Sequence, residues 1–311
     1  MVVIGTGGTI AGTALRPQDQ VDYKAGVLSA AELVAGVPGL AGQDLQVESL
    51  AQMDSCDMDH ATWWRLAHAL RAHLGRPEVA GVVVTHGTDT LEETACFLHH
   101  TVRADKPVVL TAAMRPATAP SPDGPQNLLD AVVVARYAGA RGVLAVMGGA
   151  VHAGTDLRKV HGYRLDAFSS GDAGPLALVQ DGQLRCFRDW PASTPAHAAA
   201  LGVDAAQWPV VEIVTSHAGA RSETIDALVA AGARGLVLAG TGNGSVHAAL
   251  LLAARRAVGQ GVVVRRASRC VLGGVVPGAS DTLPSAGAST PAQARVQLML
   301  ELATALPAAA R

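Results

Sequence analysis

The chain has 311 residues, 49% hydrophobic and 16% charged, and 24 Lys plus Arg stand against 26 Asp plus Glu. A chain this apolar buries enough surface to offset its conformational entropy and is not disordered, and it lacks the basic footprint of a nucleic-acid binder. Only three residues are Lys (Lys24, Lys106, Lys159) and three are Tyr (Tyr23, Tyr137, Tyr163), so chemistry that needs an amine or a phenol has few places to find one.

The first twelve residues have no basic leading segment and read as a strand entering a Gly-rich loop, not as an export signal. Short β-branched runs at 2–5, 45–50, 81–85, 107–111 and 142–147 predict strands, and their near-continuous apolar character fits burial on both faces of a parallel sheet. Helices are predicted at 60–74, 89–101 and 127–137, with Thr88 or Asp89 as the N-cap of the second. Between 149 and 180 the text becomes short polar and apolar pieces, more like a hairpin than βα units. A stretch rich in Pro and Ala at 189–208 reads as a linker between domains. The βα rhythm then restarts, with strands at 210–215, 235–239 and 261–265 and helices at 222–231 and 245–258. Thr290-Pro291 opens a last helix, a cap followed by Pro at the first position. The expectation is an α/β protein with a larger domain over 1–188 and a smaller parallel α/β domain over 209–311. No apolar run is long enough to span a bilayer.

The first strand ends in Gly5-Thr6-Gly7-Gly8-Thr9-Ile10-Ala11-Gly12. A Rossmann fingerprint would require Gly where Ile10 stands, and a Walker A loop would require Lys where Thr13 stands. What remains is a loop that brings backbone N–H groups near a small ligand and presents the hydroxyls of Thr6 and Thr9. The third strand ends in a second polar turn, Thr85-His86-Gly87-Thr88-Asp89-Thr90. Ligands of open parallel sheets sit outside the carboxyl ends of the strands, where both turns lie. A threonine hydroxyl needs an adjacent base to act as nucleophile. His86 flanks a buried strand and reads as a hydrogen-bonded structural residue. A phenol near the first turn or an amine near the second would serve: Tyr23 lies just beyond the first turn in a polar loop, Lys159 lies in the hairpin-like stretch, and each also reads as a solvated surface residue. Cys56, Cys96, Cys186 and Cys270 form no CxxC pair and read as small buried hydrophobes, and no His, Asp or Glu cluster has metal-ligand spacing.

The two turns together, Thr6-Gly-Gly-Thr-Ile-Ala-Gly12 and Thr85-His-Gly-Thr-Asp-Thr-Leu-Glu-Glu-Thr-Ala95, resemble the two signatures of the bacterial L-asparaginases and glutaminase-asparaginases. The resemblance continues through Lys106-Pro-Val-Val-Leu110, Ala112-Ala-Met-Arg-Pro116, Asp123-Gly-Pro-Gln-Asn-Leu128, Gly240-Thr-Gly-Asn-Gly-Ser245 and Pro291-Ala-Gln-Ala-Arg-Val296, and so covers essentially the whole chain. It implies hydrolysis of L-asparagine to L-aspartate and ammonia through a threonine acyl-enzyme, without cofactor, and leaves a side activity on L-glutamine open. By motif position Thr9 matches the nucleophile and Tyr23 its activating neighbour, while Thr88, Asp89 and Lys159 match a second catalytic group. Ser55 matches the residue that holds the substrate α-carboxylate, and Asp89 meets the α-ammonium. Gly8, Gly87 and Ala113 fall where backbone groups contact substrate, and Ser245 falls at a position that lines the site.

Two departures stand out. Cys56 occupies a position where the family usually has Gln or Glu, and a neutral thiol is a poor acceptor for an ammonium. The 270–290 loop, which in relatives gives a Glu to the neighbouring subunit's site, is short and has Asp281 as its acid. The resemblance also implies a homotetramer or dimer with shared sites and a loop around 13–24 that closes over substrate; the N-terminal reading gives the cytoplasm as the expected location, or the periplasm where an export signal has been removed. A glutaminase-asparaginase and a non-catalytic amino-acid-binding protein on the same fold remain the alternatives.

Overall fold

The computed structural model describes residues 1–193, 195–279 and 283–306. The chain divides into two compact units, Met1–Ala196 and His197–Arg311.

In the first unit the order is β1 (Val2–Gly7), α1 (Ala30–Ala35), β2 (Gln46–Met53), α2 (His60–Leu74), β3 (Val82–Thr85), α3 (Leu91–Thr101), β4 (Val108–Thr111), α4 (Gly124–Arg136), β5 (Val143–Met147), β6 (Ala150–Ala153), β7 (Arg158–Lys159), β8 (Phe168–Ser169), β9 (Ala177–Gln180) and β10 (Gln183–Cys186). Eight of the strands form one sheet in the order β10-β9-β6-β5-β4-β3-β1-β2. The pairs from β2 to β5 are parallel, and the pairs from β5 through β6 and β9 to β10 are antiparallel. β1, β3, β4 and β5 are buried along their whole length, as the apolar runs predict. β2 is one edge, half exposed, with Gln46, Glu48 and Gln52 breaking its apolar character. Val3, Val83, Val109 and Val146 of the sheet pack with Leu128, Ala131 and Val134 of α4 in one core.

α2 spans its predicted range, whereas α4 begins at Gly124, three residues before its predicted start. Asp59 caps α2 by accepting from the Thr62 N–H, and Gly75 ends it. The predicted cap of α3 is corrected: Thr90 is the N-cap, and it makes no side-chain cap bond. Thr88 and Asp89 are instead engaged by other partners, described below. The cysteine expectation is also corrected, since only Cys96 is buried, while Cys56, Cys186 and Cys270 are exposed.

The second unit holds β11 (Val211–Thr215), α5 (Glu223–Ala230), β12 (Gly235–Gly240), α6 (Ala248–Gly259), β13 (Val263–Ser268) and α7 (Pro291–Thr304), with the strands in a parallel sheet ordered β11-β12-β13. Thr290 and Gln293 form a reciprocal capping box ahead of Pro291 at the start of α7. The stretch read as a linker contains two 3-10 turns, Ala198–Gly202 and Ala205–Gln207, and Leu201, Val203 and Trp208 around them are buried. No helix among the described residues is long and apolar enough to cross a membrane.

Candidate active site

The first loop is shaped by two glycines. The β1–β2 register shifts between Gly5 and Gly7, and the Gly8 N–H then donates to the Met53 carbonyl at 2.8 Å. Gly8 has φ 82°, and a Cβ there would lie 2.3 Å from the Gly87 Cα. Only a residue without a side chain fits both requirements. Gly87 is equally confined: a Cβ on it would lie 2.4 Å from the Ser55 Oγ. The two Gly-containing turns therefore touch backbone to backbone, and the threonine after each is brought to the same place. Thr6 adds a further bond between them, donating its hydroxyl to the Thr85 carbonyl at 3.0 Å.

Thr9 opens a 3-10 turn, Thr9–Ala11, and is only 7% exposed. Its Oγ1 lies 2.7 Å from the Tyr23 hydroxyl. Tyr23 is held by a short hairpin in which Thr13 and Lys24 exchange both backbone hydrogen bonds, at 2.9 and 3.0 Å. Its ring packs over Gly12, where a Cβ would lie 2.8 Å from the Tyr23 Cδ2. Burial raises the Tyr23 phenol above its ordinary value; the bond to Thr9 opposes this, and the charges of Asp54 and Asp89 reinforce it. The phenol is thus protonated at neutral pH. Of the other two tyrosines, Tyr137 and Tyr163 are both exposed.

The second loop carries Thr88, 6% exposed, and Asp89. The Lys159 Nζ, from β7, donates to the Thr88 Oγ1 at 2.9 Å and to the Asp89 Oδ1 at 2.5 Å. Lys106, in contrast, donates its Nζ to the Arg76 carbonyl. Ser55 sits in a 3-10 turn, Ser55–Asp57, capped by Asp54. The Ser55 Oγ accepts from the Asp89 N–H at 3.1 Å, which leaves its own O–H free to donate elsewhere. Thr90 closes this arrangement by donating its hydroxyl to the Ser55 carbonyl at 2.7 Å. Cys56 follows on the same turn and is exposed. Its thiol lies above the ordinary value, through partial desolvation first and the carboxylates Asp54, Asp57 and Asp89 second. A neutral thiol beside three carboxylates is what the position offers.

Ala113 is fully buried and packs with Ile10 and Ala11 behind the first loop. The Asp123-Gly-Pro-Gln-Asn stretch explains how its turn is fixed. The Asp123 carboxylate accepts from the Met114 and Arg115 N–H groups, each at 2.9 Å, and Asn127 donates to the Ala112 carbonyl at 2.9 Å. Ser245 belongs to the second unit, where it exchanges backbone bonds with Thr241 in an exposed tight loop. Asp281 lies outside the described residues. No group of three or more His, Cys, Asp or Glu among the described residues is arranged to hold a metal ion.

His86 faces inward. Its Nδ1 is 2.7 Å from the Gly87 carbonyl, which only accepts, so Nδ1 carries the hydrogen. In the neutral ring Nε2 then accepts from Thr94, at 3.0 Å, and the Thr94 oxygen accepts from the Trp63 Nε1–H at 2.8 Å. Burial pushes the His86 pKa down to about 4, against the opposing bond to Gly87, and the same cause brings His152 to about 4. His86 is thus a neutral fixture behind the Gly87 peptide, as its place beside a buried strand suggests. Unfolded, each imidazole binds its proton near pH 6.5, so between about 6.5 and 4 the unfolded chain holds more protons than the native one. Their contribution is present in full above pH 6.5 and is lost as pH falls through about 4. Each should remove roughly 3 kcal/mol over that window. Urea midpoints at pH 7, 5.5 and 4.5 check this; equal midpoints at pH 7 and 4.5 would contradict it.

Comparison with known proteins supplies the remaining observations. Residues 1–192 match the family model "Asparaginase, N-terminal", and residues 210–310 match "Glutaminase/Asparaginase C-terminal domain". The chain is 37% identical to a probable periplasmic L-asparaginase of Haemophilus influenzae, over 97% of this chain and 88% of that protein. It is 36% identical to a glutaminase-asparaginase of Pseudomonas fluorescens, over 89% of this chain and 77% of that protein. Among solved structures it is similar to a probable cytoplasmic L-asparaginase from Campylobacter jejuni, with TM-score 0.90 and 36% identity over 97% of this chain and 94% of that one.

Proposed function

Because the chain belongs to the asparaginase family, whose N-terminal and C-terminal models it matches in turn, we propose that it hydrolyses the side-chain amide of L-asparagine to L-aspartate and ammonia through an ester on Thr9. The observation that carries this reading is the pair of hydroxyls on touching loops, Thr9 bonded to the Tyr23 phenol and Thr88 bonded to Lys159.

The Thr9 Oγ1 attacks the amide carbon. Its proton passes by way of Tyr23 to the leaving nitrogen, so that ammonia departs and a β-aspartyl ester remains. Tyr23 is itself protonated, so its oxygen accepts the Thr9 hydrogen as it gives up its own. Water then adds its hydroxide to the ester carbon and returns a hydrogen to Thr9, releasing aspartate. Thr88, Asp89 and Lys159 form the second group, which presents a polarised hydroxyl to the reacting carbonyl. The developing oxyanion needs fixed donors, and the glycine-rich turns at Gly8 and Gly87 and the turn at Ala113 bring backbone groups close enough to supply them. The free O–H of Ser55 and the carboxylate of Asp89 read the two ends of the zwitterion. Cys56 offers no such contact to the ammonium.

The same reading takes Ser245 as a residue lining the site and Asp281 as the acid given by a neighbouring subunit in a homotetramer or dimer. It divides the chain into a catalytic domain at 1–188, a linker at 189–208 and a second domain at 209–311. It places the protein in the cytoplasm; relatives are named both periplasmic and cytoplasmic. L-Glutamine is a second substrate, a reading favoured by the likeness to a glutaminase-asparaginase. Ammonia release by the purified chain from L-asparagine, L-glutamine and an amide without the α-amino acid head tests the activity and its substrates. Release from L-asparagine and none from the headless amide is expected, since the latter leaves Asp89 and Ser55 unpaired. No release from either amino acid would overturn the assignment.

A further inference from the structure

We propose that Glu92 is a positioning residue that holds Lys159 in place for the reaction, an inference that rests on the role just given to Lys159. Lys159 is the second residue of β7, a two-residue strand that pairs with β8 in a separate two-stranded sheet. The large sheet sets the register of the strands that lead to Thr9 and Thr88, but it does not set the register of β7. Within the small hairpin the next amide, Val160 N–H, bonds to the Ala167 carbonyl at 2.7 Å. Successive amides of a strand point to opposite sides, so that of Lys159 points away from its hairpin partner.

That amide donates to the Glu92 Oε2 at 3.1 Å. Glu92 stands in the first turn of α3, one helical turn beyond the loop that carries Thr88 and Asp89. One carboxylate thus fastens the backbone of the amine-bearing residue to the same helix whose leading loop carries the two partners of the amine. The pairing spans 67 positions in sequence. A Lys side chain has four rotatable bonds between backbone and nitrogen, so a hairpin that shifts carries Nζ away from Thr88 and Asp89. Catalytic groups tolerate roughly 0.5 Å of displacement, and a misplacement of about 1 Å costs on the order of a hundredfold in rate. The bond is to a main-chain amide, so a neutral oxygen of the same reach performs the same task.

The test compares wild type with Glu92→Ala, Glu92→Gln and Glu92→Asp. Two measurements are made: steady-state kinetics on L-asparagine, and hydrogen exchange of the segment containing Lys159. For Glu92→Ala we expect kcat to fall about 10- to 100-fold with KM within about threefold, and faster exchange at the Lys159 amide. Glu92→Gln keeps the accepting oxygen and should stay within about threefold of wild type in kcat, KM and exchange. Glu92→Asp, one methylene shorter, should lie between them, and it carries the test if the Ala variant does not fold. The proposal is overturned if Glu92→Ala and Glu92→Asp match wild type in kcat and exchange. It is also overturned if Glu92→Gln is as impaired as Glu92→Ala, because charge rather than placement would then be at stake. A wild-type chain that releases no ammonia defeats the proposed function instead, and the exchange comparison still decides whether Glu92 holds the hairpin.

Discussion

Replacing Thr9 by Val should reduce kcat on L-asparagine by at least about a thousandfold while leaving the fold intact. Valine keeps the branched shape of threonine in a site that is only 7% exposed, so the 3-10 turn and its packing against Ala113 persist. What disappears is the oxygen that would form the ester. The Tyr23 hydroxyl loses its partner at 2.7 Å, which should cost about 1 kcal/mol of stability because the phenol is half-buried. Ammonia release measures the first effect and a urea titration the second. Binding of L-aspartate should survive, since Ser55 and Asp89 are untouched. Activity within about tenfold of wild type would remove Thr9 from the nucleophile's place.

Replacing Lys159 by Met is the second large effect expected, a loss of roughly a hundred- to a thousandfold in kcat. Methionine matches the unbranched, partly buried lysine stem but donates no hydrogen bond. Thr88 loses the donor at 2.9 Å and Asp89 the partner at 2.5 Å. Arginine at 159 should not restore activity, because a planar guanidinium cannot put a single nitrogen between those two oxygens. Single-turnover measurements separate formation of the ester from its hydrolysis. If both steps proceed at the wild-type rate in Lys159→Met, the second threonine group has no catalytic part.

The sequence makes the main sheet legible because its central strands are buried on both faces and leave no polar alternation to confuse the reading. α2 is equally plain, since Asp59 and Gly75 mark its two ends. α1 escapes the apolar pattern because only Ala30 of its six residues is buried; the signal it does carry is the capping box of Ser29 with Glu32. The cap of α3 is misread because the residues that look like caps, Thr88 and Asp89, are claimed by Lys159 and Ser55 from elsewhere in the chain. Spacing alone cannot find such partners: 71 residues separate Lys159 from Thr88. The motif resemblance identifies Tyr23 and Lys159, and the scarcity of tyrosine and lysine narrows the choice. Glu92 is invisible at that level, because a first-turn acid already has an ordinary explanation in the helix dipole.

The contact of Gly8 with Gly87, and the Thr6–Thr85 bond beside it, join positions 79 residues apart. Contacts of that span form only after a long loop has been closed, so they belong to the slow part of folding. Helices such as α2 and α3 can form from local signals while the two threonines are still far from one another. On dilution from denaturant, far-ultraviolet ellipticity should therefore recover ahead of hydrolysis, with the interval set by the pairing of β1 with β3.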